Sequence, residues 1–232
     1  MTQTAWDQDK VHRIVYDICN HYYEYISKSG QFTYYAVRSL VMFSRNWDQE
    51  SVHLVAEGQK EFFRTGTTLD VNWRIRQLKA LKEAVISHEA QILRALSEDL
   101  GRHPVEGYFC DIGTIILEIN ETINGLRRWA RPELHLSGML CFPSAFTKVY
   151  KMPYGNTLII SPFNFPFLLS LGVLAASIAG GNTAVIKASS KSVSCTRVLK
   201  ELIGDTFPAD YITVIDGGHN VADMCLEERF DK

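Results

Sequence analysis

The segment 155–187 reads GNTLIISPFNFPFLLSLGVLAASIAGGNTAVIK and establishes the pattern of the C-terminal part of the chain. It predicts an apolar strand over Asn156–Ser161, an apolar helix over Phe167–Ala179 and a second strand over Thr183–Lys187. The alternation then continues with a helix over Val193–Ile203, a strand over Tyr211–Ile215 and a helix over Val221–Glu228. This order of elements is βαβαβα.

The predicted strands are apolar throughout rather than alternating, which indicates parallel strands covered by helices on both faces. The predicted fold class is therefore α/β. In an open α/β sheet, ligands bind beyond the carboxyl ends of the strands. We therefore expect the loops that open at Ser161, Lys187 and Asp216 to share one edge of the sheet.

Two long helices are predicted upstream of this sheet. The first begins at the N-cap Asp70 and ends at the C-cap Gly101. The second begins at Pro104 and ends before Pro132, which forbids its continuation. The apolar residues that the second helix is expected to bury are Val105, Phe109, Ile112, Ile116, Ile119, Ile123 and Leu126.

The composition is that of an ordinary globular protein. Of 232 residues, 46% are hydrophobic and 22% are charged, with a formal net charge of −2. Positive and negative charges nearly balance, and the sequence has no run of Lys and Arg. The composition therefore excludes the strongly basic surface that binds a nucleic acid or an anionic membrane. Met152–Ile186 contains no charged residue, but repeated Pro and Gly argue against a membrane span.

The N-terminus and the cysteines both favour a cytoplasmic, reducing environment. Met1–Lys10 has no apolar core and does not resemble a secretory signal. The five cysteines are Cys19, Cys110, Cys141, Cys195 and Cys225, an odd number with no Cys-x-x-Cys pair. This pattern argues against structural disulfides and zinc, and no metal is expected.

The residues at the predicted strand ends could carry chemistry. Asn164 lies between Pro162 and Pro166, where it is either a turn residue or helix cap, or an amide donor for a developing oxyanion. Lys187 is either a lysine that reaches solvent at the strand end, or a donor to ribose hydroxyls or phosphate. Gly217 fits a turn and can permit the close approach of a flat ring.

Two motifs resemble the nucleotide-binding domain of the aldehyde dehydrogenase superfamily. They are ISPFNFP at 160–166 and AGGNTAVIK at 179–187, which occur in the family's order and at its interval. The class 3 branch, which acts on fatty and aromatic aldehydes, is similar in further segments. These are EFF at 61–63, DLG at 99–101, RRWARP at 127–132 and ERFD at 228–231.

The resemblance implies an incomplete Rossmann-like, NAD(P)-binding domain in four parts. Residues 1–46 lie outside the resemblance and are expected to be an appendage. Residues 47–134 correspond to the helical part of the nucleotide-binding region. Short strands over His135–Cys141 and Ala145–Met152 indicate a small antiparallel or edge element within 135–152, a candidate for oligomerisation. Residues 153–232 correspond to the βαβαβα half of the domain.

The resemblance also implies roles for individual residues. Asn164 matches the family asparagine that binds the oxyanion together with the backbone N–H of a catalytic cysteine. Ser161, Pro162 and Phe163 would line the cofactor, with Phe163 in place of the more usual Trp, and Lys187 would reach the adenosine ribose. Ser190 stands where many members carry Glu, and a hydroxyl accepts a 2′-phosphate that a carboxylate would repel. NADP is therefore expected to be accepted at least as well as NAD.

The family chemistry also needs a nucleophilic cysteine, a general-base glutamate and a glycine loop, none of which is recognised before Lys232. The expectation is an NAD(P)-dependent aldehyde dehydrogenase, of which this chain is a truncated and inactive portion. Two alternatives stay open: a non-catalytic fragment or assembly module, and an acyl-CoA reductase of the same superfamily. The expected partners are a small-molecule aldehyde in the complete enzyme and further copies of the chain, through oligomerisation or aggregation.

Overall fold

The computed structural model describes residues 47–136 and 146–232. Its first helices are α1 Gln49–Arg64, α2 Val71–Ser87, α3 Glu89–Leu100, α4 Pro104–Gly107 and α5 Thr114–Trp129. A short hairpin follows, with strands β1 Glu133–Leu136 and β2 Phe146–Val149. The remaining elements are β3 Asn156–Ile160, α6 Val173–Gly180, β4 Thr183–Lys187, α7 Val193–Thr206, β5 Ile212–Ile215 and α8 His219–Glu227.

The strands β3, β4 and β5 form a parallel sheet, in which β4 is the central strand. Its register pairs Ile160 with Lys187, and Lys187 with Ile215, so the three carboxyl ends are level. The prediction of an α/β fold with parallel strands is confirmed. Every residue of the central strand β4 is buried, as the continuous apolar run predicted.

Both faces of this sheet are covered. On one face, Ile186 and Val214 pack into a core with Leu78 of α2, Ile119 of α5 and Leu199 of α7. On the other face, the neighbouring strand residues Val185 and Ile215 pack with residues of α1 and α8. Alternate residues of a strand point to opposite faces, so an apolar run is needed where both faces are buried.

The last two residues lie along the outer edge of β3. The amide of Asp231 donates to the carbonyl of Asn156 at 2.8 Å, and the amide of Leu158 donates to the carbonyl of Lys232 at 2.9 Å. The carboxylate of Asp231 also accepts from the amide of Asn156 at 2.9 Å. The strand β3 therefore has backbone partners on both of its sides.

The prediction of one helix from Asp70 to Gly101 is wrong at His88. There the backbone adopts φ −97° and ψ 8°, and the chain divides into α2 and α3. Hydroxyl and imidazole groups of Ser87 and His88 both contact the carbonyl of Ala84 and compete with the helical ladder. The spacing of buried residues continues across the break, so the periodicity did not reveal it. The predicted caps Asp70 and Gly101 are confirmed.

The second long helix contains a π-helical segment, Tyr108–Gly113, between α4 and α5. A π-helical turn holds more residues than an α-helical turn and therefore rotates the buried face. As a result Val105 and Phe109, which were predicted to be buried, are 60% and 73% exposed, whereas Asp111 is completely buried. A second π-helical segment, Leu168–Gly172, precedes α6 and begins the helix predicted over Phe167–Ala179.

The hairpin confirms the predicted antiparallel element. Glu133 pairs with Val149, and Leu136 pairs with Phe146. The first strand begins at Glu133, two residues earlier than predicted, and the second ends at Val149, three residues before the predicted end at Met152. Residues 137–145, which include the rest of the first predicted strand, lie outside the described residues, as does the N-terminal segment 1–46.

Candidate functional site

The carboxyl ends of the strands bring three of the predicted site residues together. The amide of Ser161 donates to the carbonyl of Lys187 at 3.0 Å. The ammonium group of Lys187 donates to the carbonyl of Gly217 at 2.8 Å. The loops after β3, β4 and β5 therefore share one edge, as expected for level parallel strands. We call this edge, formed by residues 161–164, 187–191 and 216–218, the strand-end rim.

Lys187 is held inside the rim rather than extended into solvent. Only 4% of the residue is exposed, and its ammonium group also donates to the carbonyl of Ala188 at 2.7 Å. Burial lowers the pKa of Lys187, while the electrostatic interactions with Cys225 and Asp216 oppose that shift. The interpretation as a lysine reaching bulk water is wrong. An ammonium group has three N–H donors, and the described residues accept from two of them.

The helix that follows Asn164 is capped by another residue. The carboxylate of Asp111 accepts from the amide of Leu168 at 3.0 Å. Within residues 47–136 and 146–232, no hydrogen bond is made by the side chain of Asn164, which is exposed. The helix-cap interpretation of Asn164 is therefore wrong, and its amide is available to a ligand.

The main chain of Asn164 is anchored although its side chain is exposed. The guanidinium group of Arg102 donates to the carbonyl of Asn164 at 2.5 Å and lies 4.5 Å from the centre of the Phe165 ring. The same group forms an ion pair with Asp111. Burial raises the pKa of Asp111, and the Leu168 amide and the Arg102 charge oppose that rise.

The other predicted residues differ in exposure. The hydroxyl of Ser161 lies 2.5 Å from that of Ser170 and is turned into the core. Pro162 and Ser190 are exposed, and Phe163 is 46% exposed with the ammonium group of Lys191 at 5.1 Å from its ring centre. Gly217 adopts φ +120°, a conformation that favours glycine, and a Cβ there would lie 2.6 Å from Val221.

Sequence reasoning missed Arg102 and Asp111. Arg102 follows the predicted C-cap Gly101, and Asp111 lies within a helix that was assigned an ordinary amphipathic pattern. Arg102 contacts Asn164, 62 residues further along the chain, and Asp111 contacts Leu168, 57 residues further along. No local signal marks such a contact.

One group of potential metal ligands lies away from the rim. Ligand atoms of His53, Glu57 and Glu228 all lie within 4.8 Å of one another. The ammonium group of Lys60 lies 2.7 Å from the Glu57 carboxylate and 3.9 Å from that of Glu228. Because a lysine already balances these charges, we describe the group as an ion-pair network that joins α1 to the residues after α8.

The thiols of Cys195 and Cys225 are not activated. Cys195 and Cys225 are buried, and burial is the largest cause of the raised pKa of each thiol, which for Cys225 reaches about 11. Cys110 is half-buried. A nucleophilic cysteine is instead exposed and has a lowered pKa. Cys19 and Cys141 lie outside the described residues.

Within the described parts of the chain, none of the helices combines the length and the apolar character needed to cross a membrane.

The model of the aldehyde dehydrogenase family matches residues 37–231. The 4,4'-diaponeurosporen-aldehyde dehydrogenase of Staphylococcus aureus is 42% identical over 174 residues, which cover 74% of this chain and 37% of that protein. Aldehyde dehydrogenase family 3 member F1 of Arabidopsis thaliana is 36% identical over 79% of this chain and 38% of its own length.

Solved structures agree with these relatives. A substrate-bound state of Staphylococcus aureus AldH has a TM-score of 0.70 and 41% identity, over 72% of this chain and 36% of that one. An NADP complex of glyceraldehyde-3-phosphate dehydrogenase GapN from Methanocaldococcus jannaschii has a TM-score of 0.64 at 18% identity, over 78% of this chain and 40% of that one, and shows the shared fold. The chain thus spans well under half the length of these relatives. Its motifs, fold and similarity to class 3 members show that the chain belongs to the aldehyde dehydrogenase family.

Proposed function

We propose that this chain supplies the oxyanion donor and part of the cofactor site of an NAD(P)-dependent aldehyde dehydrogenase, which oxidises an aldehyde to a carboxylic acid. The observation that carries the proposal is the arrangement at Asn164. Its side chain is exposed at the strand-end rim and makes no described hydrogen bond, while its main chain is anchored by Arg102.

The proposed role of Asn164 is electrostatic. When a cysteine thiolate adds to the aldehyde carbon, a C–S bond forms and the carbonyl π electron pair moves to oxygen. The amide N–H of Asn164 donates to that oxygen and stabilises its negative charge. Loss of one such donor typically costs about 3–4 kcal/mol of transition-state stabilisation.

The residues of the rim fit a dinucleotide in their chemistry. Phe163 offers an exposed aromatic face, the described residues accept from two of the three N–H donors of Lys187, and Ser190 is an exposed hydroxyl. Pro162 and Gly217 shape the loops beside them, and Ser161 contributes the turn that starts the first loop. When bound, NAD or NADP supplies the hydride acceptor of the oxidation.

A substitution at Ser190 tests the cofactor part of this proposal. We expect Ser190→Glu to weaken NADP binding to the chain by tenfold or more, on the order of 1.4 kcal/mol, because a carboxylate repels the 2′-phosphate. NAD binding should be retained, since its ribose carries a hydroxyl there. Titration calorimetry with each cofactor measures both affinities, and the exposed Ser97→Glu on α3 is the control. Equal losses for NAD and NADP, or a strong NAD preference of the unaltered chain, would contradict the proposal.

We further propose that the isolated chain does not turn over aldehydes. We also propose that the protein resides in the cytoplasm, a reducing compartment. Cys195 and Cys225 support the lack of turnover, because both thiols are buried and their pKa values are raised. Purified chain incubated with benzaldehyde or a medium-chain aldehyde and either cofactor should form no NAD(P)H. Protein-dependent NAD(P)H formation by a homogeneous sample would overturn this statement.

A further inference from the structure

The exposed loop that carries Asn164 is held by a buried pair from another part of the chain. The pair is Arg102, whose side chain is 11% exposed, and Asp111, whose side chain is 0% exposed. Together they contact the loop on both sides of Phe165. Arg102 donates to the carbonyl of Asn164, and Asp111 accepts from the amide of Leu168.

The guanidinium group is itself fixed by several contacts. One nitrogen pairs with Asp111, another donates to the carbonyl of Asn164 at 2.5 Å, and the central carbon lies over the Phe165 ring, 4.5 Å from its centre. The carboxylate of Glu106 lies 3.9 Å away on the remaining side. A planar fork that is paired and stacked loses little freedom per hydrogen bond, whereas a lysine ammonium would keep only the point charge.

Anchoring the carbonyl of Asn164 also orients its side chain. The carbonyl of Asn164 lies in one plane with its own Cα and with the next peptide nitrogen. Holding that carbonyl therefore restricts the ψ angle of Asn164, and with it the range of directions open to the Cα–Cβ bond. The loop that carries the exposed Asn164 amide is therefore held by residues that lie 62 and 53 positions before Asn164 in sequence.

We propose that Arg102 is a positioning residue for Asn164, which keeps the side-chain amide aimed at the place where an oxyanion develops. This inference rests on the proposed function of Asn164. Arg102 does not touch the reacting atoms; it acts through the main chain of the loop. Asp111 supports it by holding the guanidinium group and the following helix in one arrangement.

The test uses the 232-residue chain and the nuclear magnetic resonance signals of the Asn164 side-chain amide, which Asn164→Asp identifies by their loss. We expect Arg102→Lys to shift and broaden these signals, because the charge stays but the fork and the stacked plane are lost. The Leu168 amide should keep its protection against hydrogen exchange, since Asp111 still accepts from it. The control is Arg76→Lys, whose exposed side chain lies 4.0 Å from Asp70 and should leave the Asn164 signals unchanged.

A second variant keeps the inference testable if Arg102→Lys does not fold. Phe165→Leu removes the ring under the guanidinium group and should cause a smaller shift of the same Asn164 signals. Signals that stay at their original positions and widths in the folded variants would overturn the positioning role and leave the oxyanion proposal standing. The readout does not depend on turnover, so the positioning role is tested apart from the oxyanion proposal. That proposal would fail instead if a complete enzyme containing this chain's residues kept its rate of aldehyde oxidation after Asn164→Ala.

Discussion

At the residue scale, the unusual group is the ammonium of Lys187, which is almost fully enclosed and bonded to two carbonyls. Its burial disfavours the charged form, and the pKa of Lys187 is lowered from its ordinary value of 10.5. A buried lysine of this kind links the loops after β4 and β5, because its two acceptors lie at Ala188 and Gly217. Its protonation is therefore coupled to folding.

This coupling predicts a pH dependence of stability. Between the lowered pKa of folded Lys187 and 10.5, the unfolded chain binds a proton that the folded chain does not. The contribution of Lys187 to the free energy of unfolding should therefore rise with pH through that window. Urea unfolding of the chain and of Lys187→Met at a series of pH values measures the difference, and the other titrating groups are common to both proteins. A difference that is flat or falls with pH would contradict the expectation.

At the element scale, α7 is capped by a residue from a different helix. Its own N-cap, Ser192, makes no side-chain capping bond. The carboxylate of Asp99 on α3 instead accepts from the amides of Ser194 at 3.2 Å and Cys195 at 2.8 Å. A negative charge at a helix N-terminus also interacts favourably with the helix dipole. The cap therefore joins two helices as well as ending one.

Removing this cap should destabilise the chain. We expect Asp99→Ala to lower the free energy of unfolding by about 1–2 kcal/mol, and Asp99→Asn by less, since an amide oxygen still accepts one bond. Glu98→Ala is the matched control, because Glu98 is exposed and lies 3.9 Å from Arg197 in a weak surface pair. Urea denaturation measures all three variants. Equal effects of Asp99→Ala and Glu98→Ala would contradict the capping role.

At the scale of the whole molecule, two features of the described residues favour self-association. The hairpin of β1 and β2 exposes apolar side chains, with Leu134 at 59% and Val149 at 45% exposure. Within the described residues, β5 pairs with β4 alone, so its outer edge can accept another strand. Both features offer surfaces to a second copy of the chain.

We therefore expect the isolated chain to form dimers or larger species, measured by light scattering coupled to size exclusion. Leu134→Lys should reduce the average mass if the hairpin contributes, because a charge on an apolar contact disfavours its burial. The exposed substitution Lys79→Gln, on α2, serves as the control. A stable monomer across the accessible concentration range would oppose this prediction.

The sequence alone determined the parts of this protein that depend on near neighbours. The apolar runs at Thr183–Lys187 and Ile212–Ile215 determined parallel, doubly covered strands, and the caps at Asp70 and Gly101 set two helix ends. The loop 160–166 determined which residues reach the strand ends. These features were readable because periodicity, caps and turns act over a few residues.

Only the tertiary structure decided how these parts support one another. The break at His88 and the π-helical turn at Tyr108–Gly113 leave the apolar spacing almost unchanged, so no periodic pattern revealed them. The anchoring of Asn164 by Arg102 and the capping of α7 by Asp99 span 62 and 96 residues. Such contacts form because the packing of helices against one another and against the sheet brings distant side chains together. Local sequence patterns do not indicate which of these side chains will be in contact.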